Sequence, residues 1–446
     1  MKKYIHKILN RDKSFSEILT GSLWALGARV LTAVLGLLTS IAIARYYGAD
    51  QLGIIAMLHS FFIFATIFTV LGTNTSILRL IPEHLSIYSI SSALKIYKSA
   101  FILIVTTSVF FGFLTYIFSE FLASEIFNKP HLAFCFSLAA FFVGFKSILE
   151  LNNNVIRGLR LIKAYAFVQL IPPVLVLIFL FMLTINKIND YNPVYAYFLS
   201  IIFASILVTL GLIIYFKKNI QTSDKVKIIN IFQIIKLSMP MLLTSSMQLV
   251  LGQTGVIFLS IYNSESDVGY YSVAVKLATI TTLFLSSINS MAAPKFSELF
   301  YKGEIEKLCK IAKKSTRLIF WATMPILLTL LFFGMDILKN FFGDDFGKAY
   351  IALIFLVLGQ AFNSLAGPTG YFMNMTGAHI VVSRIMFTAA ILNVSLCCIL
   401  IPTYGISGAA LAAMISSLYW NLLALLYIYY KYNFSIYYIP LFSKIK

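Results

Sequence analysis

Charged residues are scarce in this sequence, and acidic residues are the scarcest of them. Only 12% of the 446 residues are charged and 59% are hydrophobic, whereas about one quarter of an ordinary soluble protein is charged. So much apolar surface cannot be buried within soluble domains, so most of the chain is expected to lie in lipid. The 35 Lys and Arg against 17 Asp and Glu leave a formal net charge of +18, which alone would also suit a nucleic-acid partner.

Motifs of catalysis and metal binding are missing as well. The four cysteines have neither the spacing of a disulfide framework nor that of a metal site; they are Cys135, Cys309, Cys397 and Cys398. The sequence has no phosphate-cradling loop and no nucleophile motif. We therefore expect no cofactor, no metal and no enzyme activity. Any transport would draw its energy from an ion gradient, the membrane potential or downhill consumption of the substrate.

Twelve stretches are long and apolar enough to cross a bilayer, which takes about 20 residues of α-helix. They cover residues 20–44, 52–78, 99–119, 131–151, 164–186, 194–216, 237–262, 268–292, 317–338, 348–374, 380–401 and 405–430. Barrel strands would instead alternate over about ten residues. The sequence therefore predicts an all-α polytopic membrane protein with twelve transmembrane helices.

The positive charges are divided unequally between the two sides of the predicted membrane. With a cytoplasmic N-terminus, 27 of the 35 Lys and Arg lie in inside segments, five in outside loops and three within spans. Because Lys and Arg collect in cytoplasmic loops, both termini are predicted to be cytoplasmic. Most of the positive charge is then explained by the orientation of the chain in the membrane, and we expect no nucleic-acid partner.

The chain repeats itself weakly at a nearly constant offset. Gly53, near the outer end of span 1, corresponds to Gly269 near the outer end of span 7, 216 residues later, and further matches follow at offsets of 212 and 219. The order of these matches predicts two pseudo-symmetric six-helix bundles, 1–218 and 219–446. Six is an even number, so the halves share one orientation, and a substrate site is expected between them near the bilayer midplane.

Six short motifs carry a resemblance that covers essentially the whole chain. They are Ala44–Gly53, Ile77–Glu83, Arg157-Gly158, Val268–Ala274, Ala293–Glu298 and Tyr404–Ala410. With these motifs the sequence resembles the polysaccharide-exporter branch of the multidrug/oligosaccharidyl-lipid/polysaccharide transporter superfamily, whose fold is MATE-like.

The resemblance implies a flippase of O-antigen or capsule type. Its substrate would be an oligosaccharide linked to undecaprenyl diphosphate, and membrane lipids, a polysaccharide polymerase and a chain-length regulator would be its partners. Peptidoglycan-precursor flippases of the same superfamily usually carry two further helices. This sequence has no thirteenth span, which argues against a lipid II substrate.

Ionisable residues within the spans are the candidate substrate-binding residues, because a charge at the bilayer centre costs at least about 2.5–3.5 kcal/mol. Arg29 and Lys276 each lie roughly 14 Å into a span, at 1.5 Å per residue, and could attract a diphosphate or acidic sugars. Lys146 lies nearer the inner end of span 4, four residues before Glu150. Gln248 belongs to a polar row on span 7. The alternatives are buried or i,i+4 ion pairs and bases that snorkel to the interface.

Four further positions are candidates for gating or for the family motifs: Arg45 and Arg79 at the membrane edges, and Gly53 and Gly269. The two arginines would equally serve as loop anchors. His59 in span 2 is either a proton site or a hydrogen-bonded packing residue. The Asn and Gly residues around Pro368 in span 10 could mark a broken helix, although membrane helices tolerate Pro and Gly.

Two other functions remain as alternatives. A cation-coupled multidrug exporter of the same superfamily would need a carboxylate deep in a span, and none is well placed. A multi-span polysaccharide polymerase or ligase would carry a large outer loop with catalytic bases, whereas every outer loop here is short. The flippase remains the favoured interpretation.

Overall fold

The computed structural model describes residues 13–186, 189–220, 231–438 and 440, and within them every regular element is a helix. Besides five short helical segments within residues 119–132 and 338–349, the described chain forms thirteen α-helices, of which the first seven are α1 (Lys13–Val70), α2 (Thr73–Ile87), α3 (Ile90–Ile117), α4 (Ala133–Gly158), α5 (Ile162–Asn186), α6 (Asn192–Asn219) and α7 (Ile231–Tyr262). The next six are α8 (Glu265–Thr279), α9 (Thr282–Tyr301), α10 (Ile305–Ile337), α11 (Tyr350–Ala366), α12 (Thr369–Met375) and α13 (His379–Tyr432). The all-α prediction is confirmed.

Eight helices of the described chain are long and apolar enough to cross a membrane, or nine if α8 and α9 form one bent span. Two of the eight are interrupted by kinks, α1 at Gly48 and α13 at Gly405. The kink at Gly48 falls in the predicted loop between spans 1 and 2, and the kink at Gly405 falls at the first residue of the predicted span 405–430. The count of twelve stays a prediction.

The predicted span 52–78 is wrong as a single helix. It breaks at Leu71 and Gly72, which take left-handed φ angles of 48° and 74°, and α2 begins at Thr73. The apolar run ends at Leu71, and glycine and polar residues follow at 72–76, so the sequence carries a local signal of this break that the predicted span passes over. The break turns the chain at the point where α2 meets α7.

Two predicted spans of the second half are also broken. Span 268–292 divides into α8 and α9, which are bent by 41° relative to each other. Span 348–374 divides at Gly367, whose φ of 77° suits glycine and whose added Cβ would lie 2.1 Å from the Thr316 hydroxyl oxygen. The interpretation of the residues around Pro368 as a helix break is confirmed.

The helices form two compact units: residues 34–272 are one, and the described residues before Val34 and from Val273 onward are the other. In the first unit α1, α4 and α6 pack around the fully buried rings of Phe62, Phe136 and Phe198. Because lipid is as apolar as these rings, such packing stabilises the unit mainly by close contact. The lobe boundary at 218/219 stays a prediction. The predicted cytoplasmic segments 1–12, 221–230 and 441–446 lie outside the described residues.

Candidate functional site

Two glycines of the repeated motif lie at a direct contact between helix backbones. A Cβ atom added to Gly53 of α1 would lie 1.8 Å from the Glu265 carbonyl oxygen of α8. A Cβ added to Gly269 of α8 would lie 2.2 Å from the Ala49 carbonyl oxygen of α1. Because both obstacles are backbone atoms, only glycine allows this approach. We call this contact, residues 49–53 against 265–269, the glycine crossing.

The residues that meet at the glycine crossing are equivalent in the two repeats. Gly53 and Gly269 are separated by the offset of 216 seen in the sequence. Asp50 and Ser266 are also 216 residues apart, and the Ser266 hydroxyl donates a 2.6 Å hydrogen bond to the Asp50 carboxylate. Equivalent residues that contact each other reciprocally do so about a two-fold axis. This contact supports an internal duplication of the chain.

Lys129 holds the end of α7 close to the glycine crossing. Its ammonium donates hydrogen bonds of 2.7 Å to the carbonyl oxygens of Ser260 and Asn263, which are among the groups that a helix C-terminus leaves without partners. Lys129 is only 6% exposed. Burial lowers the pKa of this lysine, and the nearby carboxylates of Glu265 and Asp267 partly oppose that shift. In this position Lys129 stabilises the C-terminal end of α7.

Lys129 is a site residue that sequence analysis missed. In the sequence Lys129 is one of the five bases predicted in outside loops, and this exception to the preference of Lys and Arg for the cytoplasmic side is its only signal. His131 of the same loop was missed too; its Nε2 lies 3.2 Å from a carboxylate oxygen of Glu265. The segment before α4 therefore contacts both α7 and α8.

A second contact joins α2 to α7. The hydroxyls of Ser76 and Ser238 are 2.7 Å apart. A Cβ added to Gly72 would lie 2.6 Å from the Ser238 carbonyl oxygen, so the left-handed break before α2 also permits a close approach. Both serines are fully buried. We call this contact of Gly72 and Ser76 with Ser238 the serine crossing.

A polar cavity of about 280 Å³ lies among α1, α2, α4 and α7 within the first unit. Its polar lining consists of His59, Thr66, Asn74, Lys146, Glu150 and Ser246. Protein sites for small molecules span about 300–1,000 Å³, so the space suits a polar head group better than a whole oligosaccharide. Ionisable groups at membrane depth are expected to face such a cavity.

Lys146 and Glu150 give the cavity its charges. Both are on α4, one helical turn apart, and both are half-buried. They do not come within 4 Å of each other as an ion pair; instead the Asn154 amide donates to the Glu150 carboxylate at 3.3 Å. His59 Nδ1 lies 3.1 Å from the Tyr197 hydroxyl, so this histidine is both hydrogen-bonded and cavity-lining. The arrangement presents an ammonium and a carboxylate to one small polar space.

The other predicted substrate-binding residues are not among the residues that line this cavity. Gln248 is exposed on α7, which contributes Ser246 and Leu249 to the lining instead. Arg29 on α1 is half-buried and Lys276 on α8 is exposed, and both belong to the other compact unit. Of the four predicted residues, Lys146 alone lines the described cavity.

The two arginines predicted at the membrane edges, Arg45 and Arg79, lie on helix surfaces. Arg45 is exposed near the kink of α1. Arg79 on α2 is exposed and lies 3.8 Å from the Glu83 carboxylate in an i,i+4 pair, an arrangement that contributes little to stability. In the part of the chain that the structure describes, no group of three or more His, Cys, Asp or Glu could hold a metal ion.

Comparison with protein families gives two matches. The model of the family described as polysaccharide biosynthesis protein matches residues 18–300, and that of the family MatE matches residues 240–399. The chain belongs to the polysaccharide biosynthesis protein family. It falls within the polysaccharide-flippase branch of the multidrug/oligosaccharidyl-lipid/polysaccharide superfamily, so the resemblance seen in the motifs is confirmed.

Three curated relatives are similar in sequence. An uncharacterised membrane protein of Methanocaldococcus jannaschii is 23% identical over 88% of this chain and 80% of its own length. A probable low-salt glycan biosynthesis flippase of Haloferax volcanii is 28% identical over 36% of this chain and 34% of its own length. A capsular polysaccharide biosynthesis protein of Staphylococcus aureus is 28% identical over 37% and 41%. The last two matches thus span under half of those relatives.

Solved structures show the same fold. The lipid II flippase MurJ in an inward closed conformation superposes with a TM-score of 0.74 at 16% identity, covering 91% of this chain and 87% of that one. An inward-facing multidrug resistance MATE family transporter superposes with a TM-score of 0.70 at 14% identity, covering 92% and 98%. The chain is a multi-pass membrane protein with a MATE-like and MurJ-like fold, and family and fold are those of a flippase-like transporter.

Proposed function

We propose that the protein moves polyprenyl-diphosphate-linked oligosaccharide repeat units, of O-antigen or capsule type, from the inner to the outer leaflet of the cytoplasmic membrane. The observation that carries this proposal is the polar cavity around Lys146 within the membrane helices. A diphosphate needs cationic donors, and a lysine supplies a compact positive charge. A glycan biosynthesis flippase and a capsular polysaccharide protein among the relatives support the choice of substrate.

Four residues are proposed to contact the anionic part of the substrate: Arg29, Lys146, Gln248 and Lys276. Arginine can bind a phosphate through two parallel hydrogen bonds, whereas lysine acts as a point charge. The described cavity is too small for an oligosaccharide. The substrate would therefore meet these residues at different stages, as the cavity widens and closes.

Transport would proceed by alternating access, with the two crossings as its gates. The glycine crossing lies near the predicted outer ends of spans 1 and 7, and the serine crossing lies near the predicted inner ends of spans 2 and 7. Opening one while the other stays closed would expose the polar cavity to one side at a time. Lys129 would hold the outer gate closed, and Arg45 and Arg79 would anchor the adjoining loops.

The setting proposed for this function is the cell inner membrane, with both termini in the cytoplasm. Partners would be undecaprenyl-diphosphate-linked oligosaccharide and membrane lipids, together with a polysaccharide polymerase and a chain-length regulator that use the flipped product. We propose no enzyme activity, because translocation leaves every covalent bond of the substrate unchanged.

Depletion of the protein in its own cells tests this function. Lipid-linked repeat units are expected to accumulate on the cytoplasmic side, and surface polysaccharide is expected to fall in proportion, as measured by mass spectrometry of lipid extracts and by glycan staining. Re-expression of the wild-type chain serves as the control. Accumulation of lipid II in place of the repeat unit would instead assign a peptidoglycan precursor as the substrate, and no accumulation of either would contradict the proposal.

A further inference from the structure

An apolar groove with two lysines at one end lies between α3 and α6, away from the polar cavity. Its volume is about 380 Å³. The apolar wall includes Phe101 of α3 and Phe216 of α6, and the charged end is formed by Lys98 and Lys217. Both lysines are exposed, and among the described residues neither forms an ion pair with a carboxylate. We call this feature the paired-lysine groove.

The predicted span ends put the two lysines at the membrane interface, where lipid phosphates are expected. Lys98 directly precedes the predicted span 99–119, and Lys217 directly follows the predicted span 194–216. Because α3 and α6 enter the membrane in opposite directions, both ammonium groups lie at the same end of the groove, on the side that the charge distribution predicts to be cytoplasmic. From there the groove extends to Thr209, eight residues before Lys217, or about 12 Å along the helix.

The wall of the groove is held by a buried hydrogen-bond chain. The Tyr97 hydroxyl donates to the Asn152 side-chain oxygen at 2.9 Å, and the Asn152 amide donates to the Thr209 hydroxyl at 2.8 Å. The ring of Tyr97 stacks on Phe216, with centroids 5.7 Å apart and an interplanar angle of 18°. The groove is therefore a fixed part of the fold. Its rim residues, Ile102 and Ile213, are 56% and 40% exposed, which leaves it open toward lipid.

We propose that the paired-lysine groove binds an anionic phospholipid of the inner leaflet. The phosphate would lie against Lys98 and Lys217, and one acyl chain would occupy the apolar channel below them. Basic pockets between transmembrane helices on the cytoplasmic side bind anionic head groups in this way. A saccharide finds few partners here, because the polar groups of Tyr97 and Thr209 are already engaged with Asn152. The proposal does not depend on the proposed transport function.

Native mass spectrometry of the purified full-length protein tests the proposal, with phosphatidylglycerol and phosphatidylcholine as probes. The wild-type protein is expected to retain phosphatidylglycerol preferentially. The double variant Lys98→Gln/Lys217→Gln should lose about ten-fold in affinity for phosphatidylglycerol, since each lysine near an anionic surface contributes appreciably. The matched control Lys95→Gln/Lys218→Gln removes the same charge from exposed positions outside the groove and should change affinity less than about two-fold.

A third variant tests the contribution of the acyl-chain channel independently of the two lysine charges. Ile213→Trp fills the channel and keeps both lysines, so phosphatidylglycerol affinity should fall with the net charge unchanged. Equal losses in the two lysine double variants would show general electrostatic attraction and overturn the assignment. So would displacement of phosphatidylglycerol by glycerol phosphate alone, which would indicate a simple anion site. Retention of undecaprenyl diphosphate but not of phosphatidylglycerol would assign the groove to the transport substrate instead.

Discussion

Replacement of Lys146 by methionine is expected to reduce export of the lipid-linked saccharide about ten-fold to a hundred-fold, while the protein still inserts into the membrane. The ammonium is the positive charge of the polar cavity. A hydrogen bond to a charged group contributes about 1.5–3 kcal/mol, and each 1.4 kcal/mol is about a factor of ten. Export is measured as surface polysaccharide in depleted cells, normalised to the amount of membrane-inserted variant.

Glu150 allows the role of this charge to be separated from a structural role. If Lys146 only balanced the nearby carboxylate, the double variant Lys146→Met/Glu150→Gln would restore export. If the ammonium attracts the substrate, the double variant stays inactive and Lys146→Arg recovers part of the activity. Lys95→Met removes an exposed lysine and is the matched control. Normal export by Lys146→Met would move the anionic contact to Arg29 or Lys276, whose alanine variants are made in parallel.

Substitution of Gly53 by alanine is expected to weaken the closed state of the glycine crossing and to reduce export about five-fold or more. The new Cβ would lie 1.8 Å from the Glu265 carbonyl oxygen, so the two backbones must separate. Forcing extra volume into a packed contact costs about 1–3 kcal/mol, which shifts an open-to-closed equilibrium about five-fold to more than a hundred-fold. Gly269→Ala, with its Cβ 2.2 Å from the Ala49 carbonyl oxygen, should act in the same way.

The exposure of Lys129 reports whether the crossing has opened. This lysine is 6% exposed with the crossing closed, so a membrane-impermeant amine reagent should label it faster in Gly53→Ala than in the wild-type protein. Gly36→Ala and Gly211→Ala are matched controls, because a Cβ at either position meets nothing within 4 Å. Unchanged export and unchanged Lys129 labelling in Gly53→Ala would show that the crossing is not a gate.

The sequence predicted the features that are repeated or compositional. Apolar runs indicated the all-α membrane fold, and the spacing of Gly53 and Gly269 identified two residues that contact each other. The helix break near Pro368 was among the interpretations, because Asn and Gly residues cluster around this proline. In each case the signal is either local along the chain or a long-range repeat.

Other features depend on how helices are placed against each other, which a single sequence does not encode directly. The polar cavity combines His59, Asn74 and Ser246, which come from three helices and form no motif. The break at Leu71 and Gly72 lies where an apolar run meets polar residues, and its left-handed backbone is what brings α2 against α7. Lys129 is unremarkable by position and gains its role only from the carbonyl groups at the end of α7.

Translocation by the purified protein in vesicles tests the central claim most directly. Vesicles carrying a polyprenyl-diphosphate-linked oligosaccharide in both leaflets are treated from outside with an enzyme that cleaves the saccharide. With the wild-type protein, the inner-leaflet pool should become accessible and nearly all of the saccharide should be cleaved, whereas Lys146→Met should leave that pool protected. An inner pool that stays equally protected with wild-type protein and with protein-free vesicles would contradict the proposed function.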